Sequence, residues 1–246
     1  MTTQSVEKAV AILRQFSATE PQLGVSELAR RLGMTKSNVH RLLSTLVKER
    51  LMAQDPETRQ YRLGHPLVRL GHTVVYSDPL MTTVQPYLHY VAHQMGEASY
   101  LAERCGDKVA TLLQVIAPNL REPIGWYPTL RLHSTSTGKV LLAHAEQDDV
   151  DRFLAGGLPR STEHTITDPA EVRKELQLVR EQGFATCLEE ENSGLNAVAV
   201  PIMKHDDGVL AAMAVVGPAY SLTREKLMAS VEILKGVSAE ITRKLG

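Results

Sequence analysis

Residues 25–50, VSELARRLGMTKSNVHRLLSTLVKER, hold two short apolar-periodic stretches only a few residues apart, and few folds accept that pattern. In the first, Val25, Leu28, Ala29 and Leu32 recur at helical spacing from about Ser26, and Gly33 supplies a stop. In the second, Val39, Leu42, Leu43 and Leu46 share one face, and Thr35 is placed to cap the orphan N–H groups of the first turn. Two short helices joined by a tight turn make a helix-turn-helix, and the small Ala29 lets the pair approach closely. A helix over residues 5–16 precedes them, ended by Pro21 and Gly24. After them, Leu51 and Ala53 alternate, Asp55-Pro56-Glu57-Thr58 turns, and Tyr61 and Leu63 alternate again, which is a hairpin in the place of a wing.

The outward face of the third helix carries the chemistry. Lys36, Ser37, Asn38, His40 and Arg41, then Ser44, Thr45 and Lys48, present donors and acceptors of the kinds that read base edges and phosphates. No carboxylate interrupts them before Glu49. Residues 1–75 hold eleven Lys and Arg against six Asp and Glu, a net +5, so the rest of the chain carries −6. A basic head on an acidic body fits a head that meets a polyanion. The candidate DNA contacts are therefore the eight helix residues together with Ser26, Thr35 and, from the hairpin, Arg59.

At 246 residues, 43% of them hydrophobic and 22% charged, the chain has room for two globular domains and is not disordered. No apolar run nears the ~18 residues of a membrane span. No signal peptide opens the chain, and Cys105 and Cys187 make no disulfide framework, so a cytoplasmic protein without membrane contact is expected. The expected division is 1–64, a winged helix-turn-helix domain; 65–78, a linker helix rich in Leu67, Val68, Leu70, Val74 and Val75; and 79–246, the body. That linker is apolar enough to call for a partner helix from a second subunit.

In the body, Pro86 to Met95 reads as helix and SYLAERC and KVATLLQVI as strands. HSTSTGKVLLAHA passes from loop to helix, and Asp168-Pro169 opens a helix reaching Gln182. FATCLEE, LNAVAVPI and GVLAAMAVVG are strands, and a helix from Thr223 closes the chain. Short connections between neighbouring strands predict an antiparallel sheet packed on helices, hence α+β.

Catalytic motifs fail one by one. STSTGK lacks the first glycine of a Walker A loop, where His133 stands, and the hydroxyl residue after Lys139, where Val140 stands. His89 and His93 share a helix face but have no further metal-ligating companion. Cys187 has no positioned base in sight, and Glu189-Glu190-Glu191 reads as a solvated strand end from which one glutamate could face a ligand. No catalytic residue, metal or cofactor is expected. What survives is the polar loop Ser134 to Gly138, whose N–H groups run straight into a helix and suit an anion such as a carboxylate.

The chain resembles the IclR (isocitrate lyase regulator) family of bacterial transcriptional regulators over nearly its whole length. SVEKAVAILRQF, VSELARRLGMTKSNVHRLLSTL and YRLG resemble the family's winged helix-turn-helix. LHSTSTGKVLLA, EEENSGLNAVAVPI and the strand ending in Val216-Gly217-Pro218 resemble its effector domain. The resemblance implies a GAF/PAS-like antiparallel-sheet ligand domain, homodimers or dimers of dimers, a palindromic double-stranded operator and either repression or activation. Carried over by position, the family's pocket falls on Ser136, Thr137, Gly138, Cys187, Glu189, Ala197, Ala214 and Val216, with Met213 and Trp126 beside them. Where members that bind small oxo-acids have serines and an aspartate, this chain has Ala214, Val216 and Cys187, which favours a larger or aromatic acid. Two rival readings remain open: a ligand-binding protein whose head contacts protein, and a minor enzyme built on Cys187 or Glu189. An apolar effector body against Ala197, Met213 and Ala214 is the expected pose.

Overall fold

Hydrophobic spacing and caps build the first unit, Met1–Ser77, of a computed structural model that describes residues 3–17, 19–120, 124–125, 127–204 and 208–246. Helices α1 (Gln4–Leu13), α2 (Val25–Leu32) and α3 (Lys36–Lys48) bury Ile12, Leu28, Ala29, Val39, Leu43 and Leu46 on one another. The first helix is three residues shorter at its C-terminus than periodicity predicts; its last apolar residue, Phe16, packs on the core from outside the helix. Gly33 closes α2 in the left-handed region at φ 61°, and the Thr35 hydroxyl accepts the Asn38 N–H at 3.3 Å. Strands β1 (Met52–Gln54) and β2 (Tyr61–Leu63) pair antiparallel around an Asp55 turn, whose carboxylate accepts the Glu57 and Thr58 N–H groups. Helix α4 (Pro66–Ser77) buries none of its residues, leaving Val68, Leu70, Val74 and Tyr76 exposed.

The second unit, Asp78–Gly246, is a six-stranded antiparallel sheet with helices on both faces. Its strands run β5-β4-β3-β8-β7-β6: β3 (Ala98–Cys105), β4 (Lys108–Ile116), β5 (Thr129–Arg131), β6 (Ala185–Leu188), β7 (Leu195–Met203) and β8 (Val209–Pro218). Strand parity sorts the side chains. Val198, Val200, Ile202, Met213 and Val215 face α5 (Pro79–Met95) and α9 (Arg224–Leu245). Ala98, Tyr100, Ala102, Ala199, Ala212 and Ala214 face α6 (Ser136–Ala143), α7 (Gln147–Ala155) and α8 (Pro169–Gln182). One face is thus branched and filled, the other floored with alanine.

Several elements depart from the sequence pattern. Helix α5 starts at Pro79, about two turns before Pro86, because Asp78 caps it by accepting the Leu80 and Met81 N–H groups. Helix α6 starts at Ser136, inside the stretch read as loop. Strand β5 and helix α7 carry too few apolar residues to announce themselves; α7 buries only Val150 and Leu154.

Candidate DNA-contacting helix and effector pocket

On α3, Lys36, Ser37, His40, Arg41, Ser44, Thr45 and Lys48 are exposed and Asn38 is half-buried, while the helix's apolar face is in the core. Thr35 and Ser26, at the starts of α3 and α2, are exposed as well. Arg41 Nη2 donates to Asn38 Oδ1 at 3.4 Å, so the two side chains reach out together. The Ser44 and Thr45 hydroxyls donate back to the His40 and Arg41 carbonyls, which leaves them only acceptor capacity outward. Arg59 sits exposed in the hairpin turn at φ 59°. Not all of the basic excess is free. Arg30 and Arg31 are paired with Glu27, and Arg31 also with Glu20. Hydrogen bonds from Arg30 and Arg31 hold the Glu27 carboxyl down at about 2.

In the second unit a cavity, open at its mouth, lies between the alanine face and α6. Tyr100, Ala102, Thr111, Leu130, Ala197, Ala214 and Val216 line it from the strands, Ile124 and Tyr127 from the β4–β5 segment, and Thr135, Ser136 and Thr137 from the start of α6. Cys187, Glu191, Asn192, Leu195 and Asn196 complete the wall. All eight residues of α6 are buried, so its positive end faces the cavity rather than bulk water. Gly138 N–H is taken by the Thr135 hydroxyl at 3.1 Å, whereas the Ser136 and Thr137 N–H groups have no partner among the described residues. On the far side, Gln114 Nε2 donates to the Tyr100 hydroxyl at 2.8 Å, and burial keeps that phenol protonated.

Two sequence models match: the C-terminal domain of the bacterial transcriptional regulator IclR over residues 72–243, and the IclR helix-turn-helix domain over residues 5–56. The chain belongs to the IclR family. This IclR-family protein is 30% identical to the HTH-type transcriptional regulator XynR of Escherichia coli, across 99% of its own chain and 97% of that protein. Its fold matches an IclR transcriptional regulator from Alicyclobacillus acidocaldarius with a TM-score of 0.92, 28% identity and full coverage of both chains. An IclR homologue from Microbacterium hydrocarbonoxydans, solved with 4-hydroxybenzoate, shares the fold with a TM-score of 0.83 at 24% identity, covering 98% of this chain and 99% of that one. The protein is a ligand-responsive, DNA-binding transcriptional regulator with an α+β architecture.

Of the pocket residues expected in this IclR-family chain, the cavity brings together Ser136, Thr137, Cys187, Ala197, Ala214 and Val216, and leaves out three. Met213 is fully buried on the opposite face, against α5 and α9, because its neighbours Ala212 and Ala214 hold the pocket parity. Gly138 serves packing: a Cβ there would stand 2.3 Å from the Leu132 carbonyl oxygen, so only glycine lets α6 lie this close to the preceding chain. Glu189, at φ 58°, turns its carboxylate to the Gly194 N–H at 2.8 Å and leaves the cavity. Trp126 lies outside the described residues.

The acidic run is not a solvated strand end, for its three carboxylates have three different fates. Glu189 closes the turn, Glu190 is buried 2.6 Å from Lys139 Nζ, and Glu191 forms part of the cavity wall. Glu191 accepts from Arg131 Nη1 at 2.9 Å and from the Ser134 and Ser161 hydroxyls, so its charge is compensated before any ligand arrives. The Cys187 thiol donates to the Ser134 carbonyl and is pushed up to about 11, chiefly by burial, which keeps it from acting as a thiolate nucleophile near neutral pH. His89 and His93 are exposed on α5, and no group of three metal-ligating side chains occurs among the described residues. Glu191 is the glutamate of the run that faces the cavity, whereas Tyr100 and Thr111 have no place in the sequence reading; the parity of Ala98, Tyr100 and Ala102 is the signal available for the first.

Proposed function

We propose that this regulator senses an organic acid, with an aromatic acid the best fit, in the cavity beneath α6. The carrying observation is the pairing of two unengaged N–H groups at a buried helix N-terminus with an alanine-floored, mostly apolar chamber. The carboxylate docks on the N–H and hydroxyl groups of Ser136 and Thr137, and the apolar body lies over Ala197, Ala214 and Val216. The 4-hydroxybenzoate held by the Microbacterium homologue supports an effector of this size and charge. The protein acts by binding alone, in the cytoplasm, where its operator lies.

On the DNA side, Asn38 and Arg41 read base edges while Lys36 and Lys48 meet phosphate, with Arg59 reaching the flanking backbone. Ser26, Thr35, Ser37, His40, Ser44 and Thr45 add polar contacts around them. Two copies joined through α4 match a palindromic operator, and pairing of dimers gives a tetramer.

A thermal-shift screen of aliphatic and aromatic carboxylates against their neutral amides tests the effector reading. A ligand at 100 times its Kd adds about 2.7 kcal/mol to the stability of the unit it binds. Carboxylates are expected to shift the wild type, and Ser136→Asp is expected to bind operator yet lose that shift through charge repulsion and lost volume. Amides acting as strongly as their acids, or an unaltered Ser136→Asp response, would sink the pose.

A further inference from the structure

Lys139 is 2% exposed, and its ammonium lies 2.6 Å from Glu190 Oε1, 3.1 Å from the Thr186 carbonyl and 3.3 Å from Glu175 Oε1. As a stabilising device this is a poor arrangement. A buried ion pair is commonly matched or bettered by packed apolar residues of similar volume, and here Glu190 Oε2 is buried without a hydrogen-bond partner among the described residues. What the arrangement does achieve is geometric. Thr186 and Glu190 stand on either side of Cys187, which lines the cavity and donates to the Ser134 carbonyl at 3.1 Å. Glu191 follows at once, tied to Arg131 and Ser134, and the Glu190 carbonyl is held by the Thr165 hydroxyl at 2.6 Å. Lys139 itself belongs to the first turn of α6, directly after Ser136, Thr137 and Gly138.

We propose that Lys139 is a positioning residue of the effector pocket: one ammonium grips the chain on both sides of Cys187 and fastens the β6 wall and its acidic rim to the helix that receives the effector's anion. The inference rests on the reading of this cavity as the effector pocket. It makes that helix end, the wall and the rim one mechanical unit, so that a ligand pulling on the first turn of α6 moves the acidic turn with it.

The experiment uses the full chain carrying Cys105→Ser, so that Cys187 is the one thiol, and needs no effector. Rates of Cys187 modification, slow because burial keeps the thiol protonated, by a small reagent, iodoacetamide, and by a bulky one, a fluorescein maleimide, are compared at one mildly alkaline pH. Their ratio cancels the thiol's ionisation and reads the opening of the rim. Glu190→Gln, which keeps an acceptor oxygen for the ammonium, is expected to leave the bulky-to-small ratio within twofold. Glu190→Leu, in which Lys139 keeps Glu175 and the Thr186 carbonyl, is expected to raise it at least tenfold with the melting midpoint held. The double variant Lys139→Met/Glu190→Leu, an apolar replacement for the pair, is expected to do the same. If both leucine variants fold and keep the wild-type ratio, the pair only fills space and the proposal is overturned. Should the double variant not fold, Glu190→Leu alone decides in the same way. A glutamine variant as loose as the leucine one also overturns it, because the grip would not be what holds the rim. The carboxylate screen fails or succeeds independently of these rates.

Discussion

Arg41 and Lys36 are both exposed on α3, yet their chemistry separates them. A guanidinium reaching a base edge carries sequence information, whereas an ammonium on phosphate carries only charge. Arg41→Ala is expected to cost about 1–3 kcal/mol of operator binding and to relax preference at one base pair. Lys36→Ala is expected to weaken all sequences alike and to lower the magnitude of the salt slope by about 1. Titrations against operator and scrambled duplexes at several salt concentrations separate the two; unchanged discrimination in Arg41→Ala refutes the base contact. Glu97 offers a second test. It is buried before β3, its Oε2 has no hydrogen-bond partner among the described residues, and it occupies space that a side chain at Gly217 would fill. Burial raises its carboxyl above the ordinary 4.5, outweighing Ser221 and Lys226. An acid raised on folding contributes its stability while protonated; the contribution is complete below 4.5 and is lost as pH rises through the folded value. Glu97→Gln stays neutral throughout, so its melting midpoint is expected to exceed the wild type's at pH 8 and to match it near pH 4. A lower midpoint at pH 8 contradicts this reading.

Elements were legible where one local rule dominated. The α2–α3 turn could be read because Gly33 and Thr35 each have a specific backbone task, and α8 and α9 because Asp168 and Thr223 cap long periodic runs. Met213 was misassigned because adjacent strand residues of equal hydrophobicity hide the parity that sends them to opposite faces. Glu190 reads as solvated in the sequence because nothing local tells a buried acid from an exposed one; its partner Lys139 is 51 residues away. The start of α6 was hidden by the Ser-Thr run, which serves as cap, first turn and cavity wall together. Its packing makes Gly138→Ala informative. The added methyl meets Leu132 backbone and the Thr135 cap hydroxyl, so the expected cost is about 1–3 kcal/mol by chemical denaturation. A neutral substitution would mean that α6 can lift away from residue 132, contrary to its close seating.

At the scale of the whole molecule, α4 poses a demand that its own unit leaves unmet. Its exposed Val68, Leu70, Val74 and Tyr76 form an apolar surface on a helix with no buried residue. Wild-type protein is expected to sediment as a dimer or larger at micromolar concentration, and Leu70→Glu/Val74→Glu as a monomer with weakened operator binding. A monomeric wild type, with and without DNA, rejects the two-fold arrangement and with it half-sites a turn of DNA, ~34 Å, or a multiple of it apart. The alanine floor of the pocket carries a different consequence, for descent rather than for one molecule. Because alternate residues of β7 and β8 serve separate faces, Ala197 and Ala214, which line the cavity, can each acquire a methyl or a hydroxyl without disturbing Val198, Met213 or Val215 behind them. A lineage carrying this sheet can change what it senses through single substitutions on one side while the scaffold on the other side is inherited intact.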